Sequence, residues 1–216
     1  MATLAVIDYG GSNLRSVYKA LQWVAKGRAK VTVSGDPEVI SRADRVVFPG
    51  QGAIGDCMSE LKARGLDGAV REAARNKPFF GICLGLQSLL TESEEDGGTE
   101  GFDLFAGAVK RFPLDPPAAD DGTPRKVPHM GWNNVAWQRP HPIIENVSSD
   151  ARFYFVHSYY VQPSDPAVTL GKSEYINEFT AALAHDNIFA TQFHPEKSAA
   201  HGLRLLENFV GWDGIA

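Results

Sequence analysis

Gly81-Ile82-Cys83-Leu84-Gly85 sets a thiol between two glycines where an apolar stretch gives way to a helical pattern. The spacing is that of a G-x-nucleophile-x-G turn, with cysteine where serine would stand. Glycines at the flanks let the backbone turn tightly without side chains striking neighbouring backbone. The turn also brings the sulfur to a helix N-terminus, where free N–H groups and the helix dipole favour thiolate over thiol. The chemistry this allows is nucleophilic attack on an acyl carbon. A buried structural cysteine is the commoner fate of a lone thiol, and the turn alone leaves both readings open. Cys57 has no such setting; it lies near Met58 and Leu61 in a helical pattern and reads as packing.

A nucleophilic thiol needs a base. His194-Pro195-Glu196 follows the apolar run Ile188 to Phe193. Residues two apart in extended chain point the same way, and Pro195 disfavours helix at His194. His194 and Glu196 can therefore lie side by side, the carboxylate fixing the imidazole tautomer and stabilising its protonated form. On its own, this pair is equally a strand-end histidine beside a solvated glutamate. Combined with the turn at Cys83, it reads as a Cys-His-Glu triad. A third element, Pro49-Gly50-Gln51-Gly52, closes another apolar run. Backbone N–H groups of Gly50, Gln51, Gly52 and Leu84 could converge on a developing oxyanion, and one such donor is typically worth ~3–4 kcal/mol in the transition state. The loop lacks the Gly-Lys-Ser/Thr continuation of a phosphate loop. His129, His141, His157, His185 and His201 show no metal-ligand spacing, so neither a metal nor a cofactor is expected.

These residues need a frame that brings chain ends together. Leu4 to Ile7, Val31 to Val33, Arg45 to Phe48 and Pro78 to Ile82 read as strands. Helical patterns separate them: Leu14, Val17, Leu21 and Val24 with Ser12 or Asn13 as N-cap; Asp36-Pro37-Glu38 as a cap and first turn; and Met58 through Ala74. Leu84 to Leu90 also reads as helix. This alternation predicts a three-layer αβα fold with a mostly parallel central sheet, mixed in its second half. Ligands of such sheets collect at the carboxyl ends of the strands. Residues 91–101 are acidic and Gly-rich and read as loop; residues 113–128 hold five prolines and read as irregular. Beyond them, Trp132 to Trp137, Phe153 to Val161, Val168 to Tyr175, Thr180 to Ala184 and Ile188 to Phe193 read as extended, with a turn at Asp186-Asn187. Leu203, Leu206 and Phe209 mark a closing amphipathic helix.

Composition bounds the function. The chain has 216 residues, 44% hydrophobic and 22% charged, which is ordinary globular composition. No shift in composition marks a linker, so one domain spanning 1–216 is expected. The net charge of −5 lacks the basic footprint of a nucleic-acid binder. No apolar run is long enough to span a bilayer, and the opening residues lack the pattern of a secretory signal. Two cysteines form no disulfide framework and fit a reducing compartment, so a cytoplasmic setting without nucleic acid or membrane is expected.

Taken together and in this order, the three elements resemble the class I glutamine amidotransferases of the triad type, whose fold is flavodoxin-like. In that family a glutamine follows the cysteine turn closely, matched here by Gln87. Tyr9 to Leu14, Pro128-His129-Met130-Gly131-Trp132-Asn133, Tyr154-Phe155-Val156-His157-Ser158-Tyr159 and His194 to Ser198 are similar to the family of glutaminase subunits of imidazole glycerol phosphate synthase. The similarity runs along the whole chain. The Pro/Asp-rich stretch 113–124 is a departure, longer than the pattern requires.

The resemblance implies that Cys83 attacks the carboxamide of L-glutamine, with His194 and Glu196 handling protons. It implies that Gln87, Ser158 and Tyr159 hold glutamine and that one carboxylate among Glu92 to Glu95 meets its amino group. It further implies a (β/α)8-barrel cyclase partner that consumes the ammonia, with Asn13, Trp132, Tyr154 and Lys197 on the docking face. By residue type alone, Trp132 and Tyr154 equally suit a core, and Lys197 a solvated surface. Three alternatives stand beside this reading: a glutaminase of another pathway, such as a pyridoxal phosphate synthase partner, a non-catalytic α/β binding protein, and a cysteine peptidase on a similar turn.

Overall fold

Strand and helix alternate from Ala2 to Gln87. In order they are β1 (Ala2–Ile7), α1 (Leu14–Ala25), β2 (Ala29–Ser34), α2 (Pro37–Arg42), β3 (Arg45–Gly50), α3 (Ile54–Ala63), α4 (Asp67–Asn76), β4 (Phe79–Cys83) and α5 (Leu84–Gln87). Strands then dominate: β5 (Leu90–Ser93), β6 (Thr99–Glu100), β7 (Phe105–Arg111), β8 (His129–Asn134), β9 (Ala136–Trp137), β10 (Arg152–His157), β11 (Tyr159–Pro163), β12 (Thr169–Glu174), β13 (Glu178–His185) and β14 (Ile188–Thr191), before the closing helix α6 (Ala199–Gly211). The structure is a computed structural model, and it describes the chain apart from residues 12–13, 114, 116–117, 119–121, 123 and 216. Ser12 and Asn13, read above as an N-cap and a docking residue, lie outside the described residues, as does part of 113–128.

The main sheet runs β2-β1-β3-β4-β14-β13-β11-β7-β5-β6, with β12 and β9 branching from β13. Its first five strands are all parallel, in the flavodoxin-like order. The remaining pairings are antiparallel except β5 with β7. This is the mixed, mostly parallel core expected. Two apolar layers flank the sheet. One packs α1 and α6 residues such as Leu21 and Phe209 against Val6 and Phe80. The other packs Ile40, Leu61 and Val70 of α2, α3 and α4 against Ile7 and Phe48. Cys57 is buried in the second layer, as its pattern predicted.

Several local expectations needed revision. The pattern from Met58 to Ala74 is two helices, because Gly65 takes a left-handed φ of 67° and the Leu66 amide caps back to Leu61. Helix α5 ends at Gln87 instead of Leu90, since the Ser88 and Leu89 carbonyls accept from Phe102, Leu104 and Phe105. The acidic stretch 91–101 is not all loop: β5 and β6 pair there, with Glu92 opposite Glu100. The extended stretch from Phe153 to Val161 is two strands in different sheets, broken at Ser158.

A separate two-stranded ribbon, β8 with β10, lies outside the main sheet. Its register sets His129 opposite His157 and Trp132 opposite Tyr154. Alternation sends Phe153, Phe155, His157 and His129 inward. Met130 and Trp132 face out, 62% and 44% exposed, which removes the core reading of Trp132. Tyr154 is half-buried and meets Trp132 edge-on.

Candidate active site

The carboxyl ends of β3, β4 and β14 are neighbours, with Gly50 beside Cys83 and Thr191 beside Ile82. The parallel register thus gathers three distant segments at one edge of the sheet. Between β4 and α5, Cys83 adopts φ 55° and ψ −103°, a region that costs a non-glycine residue about 1–3 kcal/mol. The flanking glycines make the turn possible. A Cβ on Gly81 would sit 2.8 Å from the Gly85 carbonyl oxygen, and one on Gly85 would overlap the Phe48 carbonyl oxygen. The strained turn lifts the sulfur into a cavity of about 310 Å³. Gln51, Gly52, Leu84, Gln87, Glu95, Pro128, Val156, His157, Ser158, Tyr159 and His194 share its wall.

His194 enters just beyond β14 and is pinned by backbone bonds. Its N–H donates to the Tyr154 carbonyl at 2.9 Å, and its own carbonyl accepts from Ser198 Oγ at 2.6 Å. Its Nδ1–H donates to Glu196 Oε1 at 2.9 Å. Both side chains are withdrawn from solvent, at 2% and 0% exposure. With Nδ1 committed to Glu196, Nε2 is the ring nitrogen turned to the Cys83 sulfur. Burial opposes a charge on this imidazole, but the Cys83 sulfur and then the Glu196 carboxylate outweigh it, and the His194 pKa is pushed up to about 10. The arrangement favours an imidazolium beside sulfur.

The residues expected to hold substrate converge. Gln87, Ser158 and Tyr159 all line the cavity. Gln87 Nε2 donates to the Tyr159 carbonyl at 3.0 Å, and His157 Nδ1 donates to the same oxygen at 2.8 Å. Of the carboxylates in 92–95, Glu95 alone lines the cavity. Glu94 is engaged by Lys110 and the Arg111 amide, and Glu92 is exposed on β5. Glu95 Oε2 accepts from the Ile54 amide at 2.9 Å, and burial holds its carboxyl above the usual range.

Of the four expected oxyanion donors, Gln51, Gly52 and Leu84 line the cavity. Gly50 stands behind that wall, where a Cβ would meet Leu84 and the Tyr9 hydroxyl. The Tyr9 phenol neighbours both the Gln51 amide and the Cys57 thiol, and burial raises its pKa. Lys197 is exposed in the turn Pro195–Lys197 after His194.

Sequence reasoning missed two features. Gln192 is fully buried, and its Nε2 donates to Cys83 Sγ at 3.6 Å. It precedes His194 by two residues, so the same alternation that pairs His194 with Glu196 could have found it. His129 and His157 meet at 3.0 Å. Burial holds His129 down to about 4, and burial with the His129 ring beside it holds His157 down to about 3. Only the β8–β10 register reveals that pair.

The family description "Glutamine amidotransferase class-I" matches residues 5–211. A crystal structure titled "glutamine amidotransferase" superposes with TM-score 0.69 at 15% identity, covering 96% of this chain and 99% of that one. The glutaminase domain of Trypanosoma brucei CTPS superposes with TM-score 0.60 at 15% identity, covering 99% and 95%. At these identities the likeness is one of fold. Sequence similarity goes further. "Imidazole glycerol phosphate synthase subunit HisH" of Dechloromonas aromatica is 56% identical, over 97% of this chain and 96% of that protein. The protein of the same name from Nitrosospira multiformis is 54% identical over 100% of both chains. With a cysteine turn, a histidine–carboxylate pair and near-complete alignment all in agreement, this chain belongs to the class-I glutamine amidotransferase family and, within it, to the family of HisH subunits.

Proposed function

We propose that this chain is the glutaminase subunit of an imidazole glycerol phosphate synthase, releasing ammonia from L-glutamine for histidine biosynthesis. The observation that carries the reading is Cys83 in its strained turn beside a His194 already held by Glu196. A silent binding protein has no use for a nucleophile in unfavourable backbone geometry, backed by an oriented base.

In this reading glutamine lies in the cavity with its carboxamide against Cys83. The thiolate attacks the carboxamide carbon, and the carbonyl π electrons move onto oxygen. Backbone N–H groups of Leu84 and of the Gln51-Gly52 segment meet that oxyanion. The tetrahedral intermediate collapses, the C–N bond breaks, and His194 Nε2 gives its proton to the departing nitrogen, which leaves as ammonia. Neutral His194 then takes a proton from water as the water attacks the thioester. Glutamate leaves, and the thiolate–imidazolium pair is restored. Glu196 keeps Nδ1 protonated throughout, so Nε2 alone exchanges protons. Glu95 faces the ammonium group of the substrate, while Ser158, Tyr159 and Gln87 hold its other end.

Ammonia released into water at neutral pH is mostly protonated and no longer nucleophilic. Delivery to a partner subunit, a (β/α)8-barrel cyclase, is therefore part of the proposal. The exposed ribbon face of Met130 and Trp132, with half-buried Tyr154, and exposed Lys197 next to the triad form the docking side. Glutamate release from glutamine, measured with and without a cyclase and its nucleotide substrate, tests both halves. Weak activity alone and a large gain on mixing are expected. Activity with no gain on mixing reassigns the pathway, and no glutamate under either condition overturns the glutaminase reading.

A further inference from the structure

Along the cavity wall, a chain of polar groups that does not include His194 ends on the nucleophile. The Tyr159 backbone carbonyl accepts Gln87 Nε2 at 3.0 Å. Gln87 Nε2 also donates to Gln192 Oε1 at 3.3 Å, and Gln192 Nε2 donates to Cys83 Sγ at 3.6 Å. The direction of the chain is fixed by its anchor. A backbone carbonyl only accepts, so Gln87 must turn its NH2 group to Tyr159. The same NH2 then requires the oxygen of Gln192, which leaves the NH2 of Gln192 for sulfur. Turning Gln192 over would set two NH2 groups against each other inside a buried site.

On its buried side a thiolate needs protein donors beyond its counter-ion, because water reaches it only from the cavity. His194 supplies one side. We infer that Gln192 is a second hydrogen-bond donor to the Cys83 thiolate, aiming the sulfur at the substrate carbon and stabilising its charge, with Gln87 as the residue that orients it. This rests on the proposed role of Cys83 as nucleophile. The bond is ground-state support for the thiolate. It is released as the sulfur becomes a thioester and returns when the thiolate leaves. Gln192 itself neither gains nor loses a proton. Besides Gln192, groups among the described residues with electrostatic reach to this sulfur include His194, following β14, and the Tyr9 phenol, following β1.

The test uses two variants of the full chain with its cyclase partner. Gln192→Met removes the donor and keeps the volume. Gln192→Glu keeps the acceptor for Gln87 and replaces the donor with a carboxylate. Cys83 is alkylated with iodoacetamide across pH, and glutamine turnover is measured alongside. The pH of half-maximal alkylation is expected to rise in the order wild type, Gln192→Met, Gln192→Glu. Turnover is expected to fall about tenfold or more in kcat with KM little changed. A structural role alone would lower the melting temperature and the active fraction but leave the alkylation midpoint where it was, and that result overturns the inference. Should Gln192→Met fail to fold, the Gln192→Glu midpoint decides in its place. The nucleophile reading is checked on the wild type: if a glutamine-analogue electrophile does not label Cys83 there, that reading has failed. Labelling with unchanged midpoints in the variants overturns only the role of Gln192.

Discussion

Glu196 Oε1 accepts the Nδ1 proton of His194 at 2.9 Å, and both side chains are withdrawn from solvent. The pair is held by a Pro195 turn and by Ser198, whose hydroxyl bridges the His194 carbonyl and the Tyr154 amide. Imidazole orientation is thus set before any substrate arrives.

Glu196→Gln preserves the volume and removes the charge that favours imidazolium. Glutaminase kcat is expected to fall by about a thousandfold or more, as in serine triads that lose the orienting carboxylate. Steady-state kinetics at saturating glutamine measures this. A loss under tenfold would remove Glu196 from the triad.

Buried histidines set the acid limit of stability. Burial holds His129 and His141 down to about 4 and His157 to about 3, against 6.5 in the unfolded chain. Between those values the unfolded state binds more protons, so stability rises with pH there and is lost as pH falls from 6.5. Each histidine contributes at most about 1.4 kcal/mol per pH unit across the window. His194, raised to about 10, acts with the opposite sign: its contribution is full below 6.5 and is lost as pH climbs through 10. Urea unfolding from pH 4 to 10 should show a maximum near neutrality, and His129→Gln should flatten the acid limb. A flat profile below pH 6.5 would refute the buried neutral pair.

Gly85→Ala drives a methyl group into the Phe48 carbonyl oxygen. A cost of at least about 3 kcal/mol is expected, because backbone on both sides resists movement. Gly65→Ala meets the opposite case, a positive φ of 67° with open space around it, and should cost only about 1 kcal/mol. Denaturant titration of both variants separates crowding from backbone strain; equal costs would mean that the turn is not crowded.

Trp132→Ala removes an exposed ring whose described aromatic contact is with Tyr154. Unfolding free energy should change by less than about 1 kcal/mol, while affinity for the cyclase partner falls about tenfold or more. Calorimetric titration with the partner checks this, and unaltered affinity would move the docking face elsewhere.

The juxtaposition of Cys83, His194 and Glu196 was legible because each residue sits in a short pattern with a backbone reason: glycines around Cys83, and Pro195 between His194 and Glu196. The first five parallel strands were legible for a similar reason, since apolar runs alternate with helical periods. What escaped depended on pairing between distant segments. Phe105 to Arg111 carries Gly107 and two basic residues, and it becomes β7 because β11 and β5 flank it. The turn after Gln87 depends on donors fifteen or so residues downstream. Gln192 was visible in principle, but its purpose appears only when Gln87 and Tyr159 are brought beside it.

The β8–β10 ribbon has a consequence for how this chain can change over time. Successive residues of β10 alternate between the core side, at Phe155 and His157, and the other face, at Val156 and Tyr154, where Tyr154 meets Trp132; Val156 and His157 both reach the cavity wall. One inserted or deleted residue in either strand would exchange those faces at a stroke. It would bury Met130 or Val156, expel an imidazole, and rearrange both the cavity wall and the outer surface. Length changes are therefore expected in the segments that flank the two strands, while the ribbon itself is expected to drift by substitution.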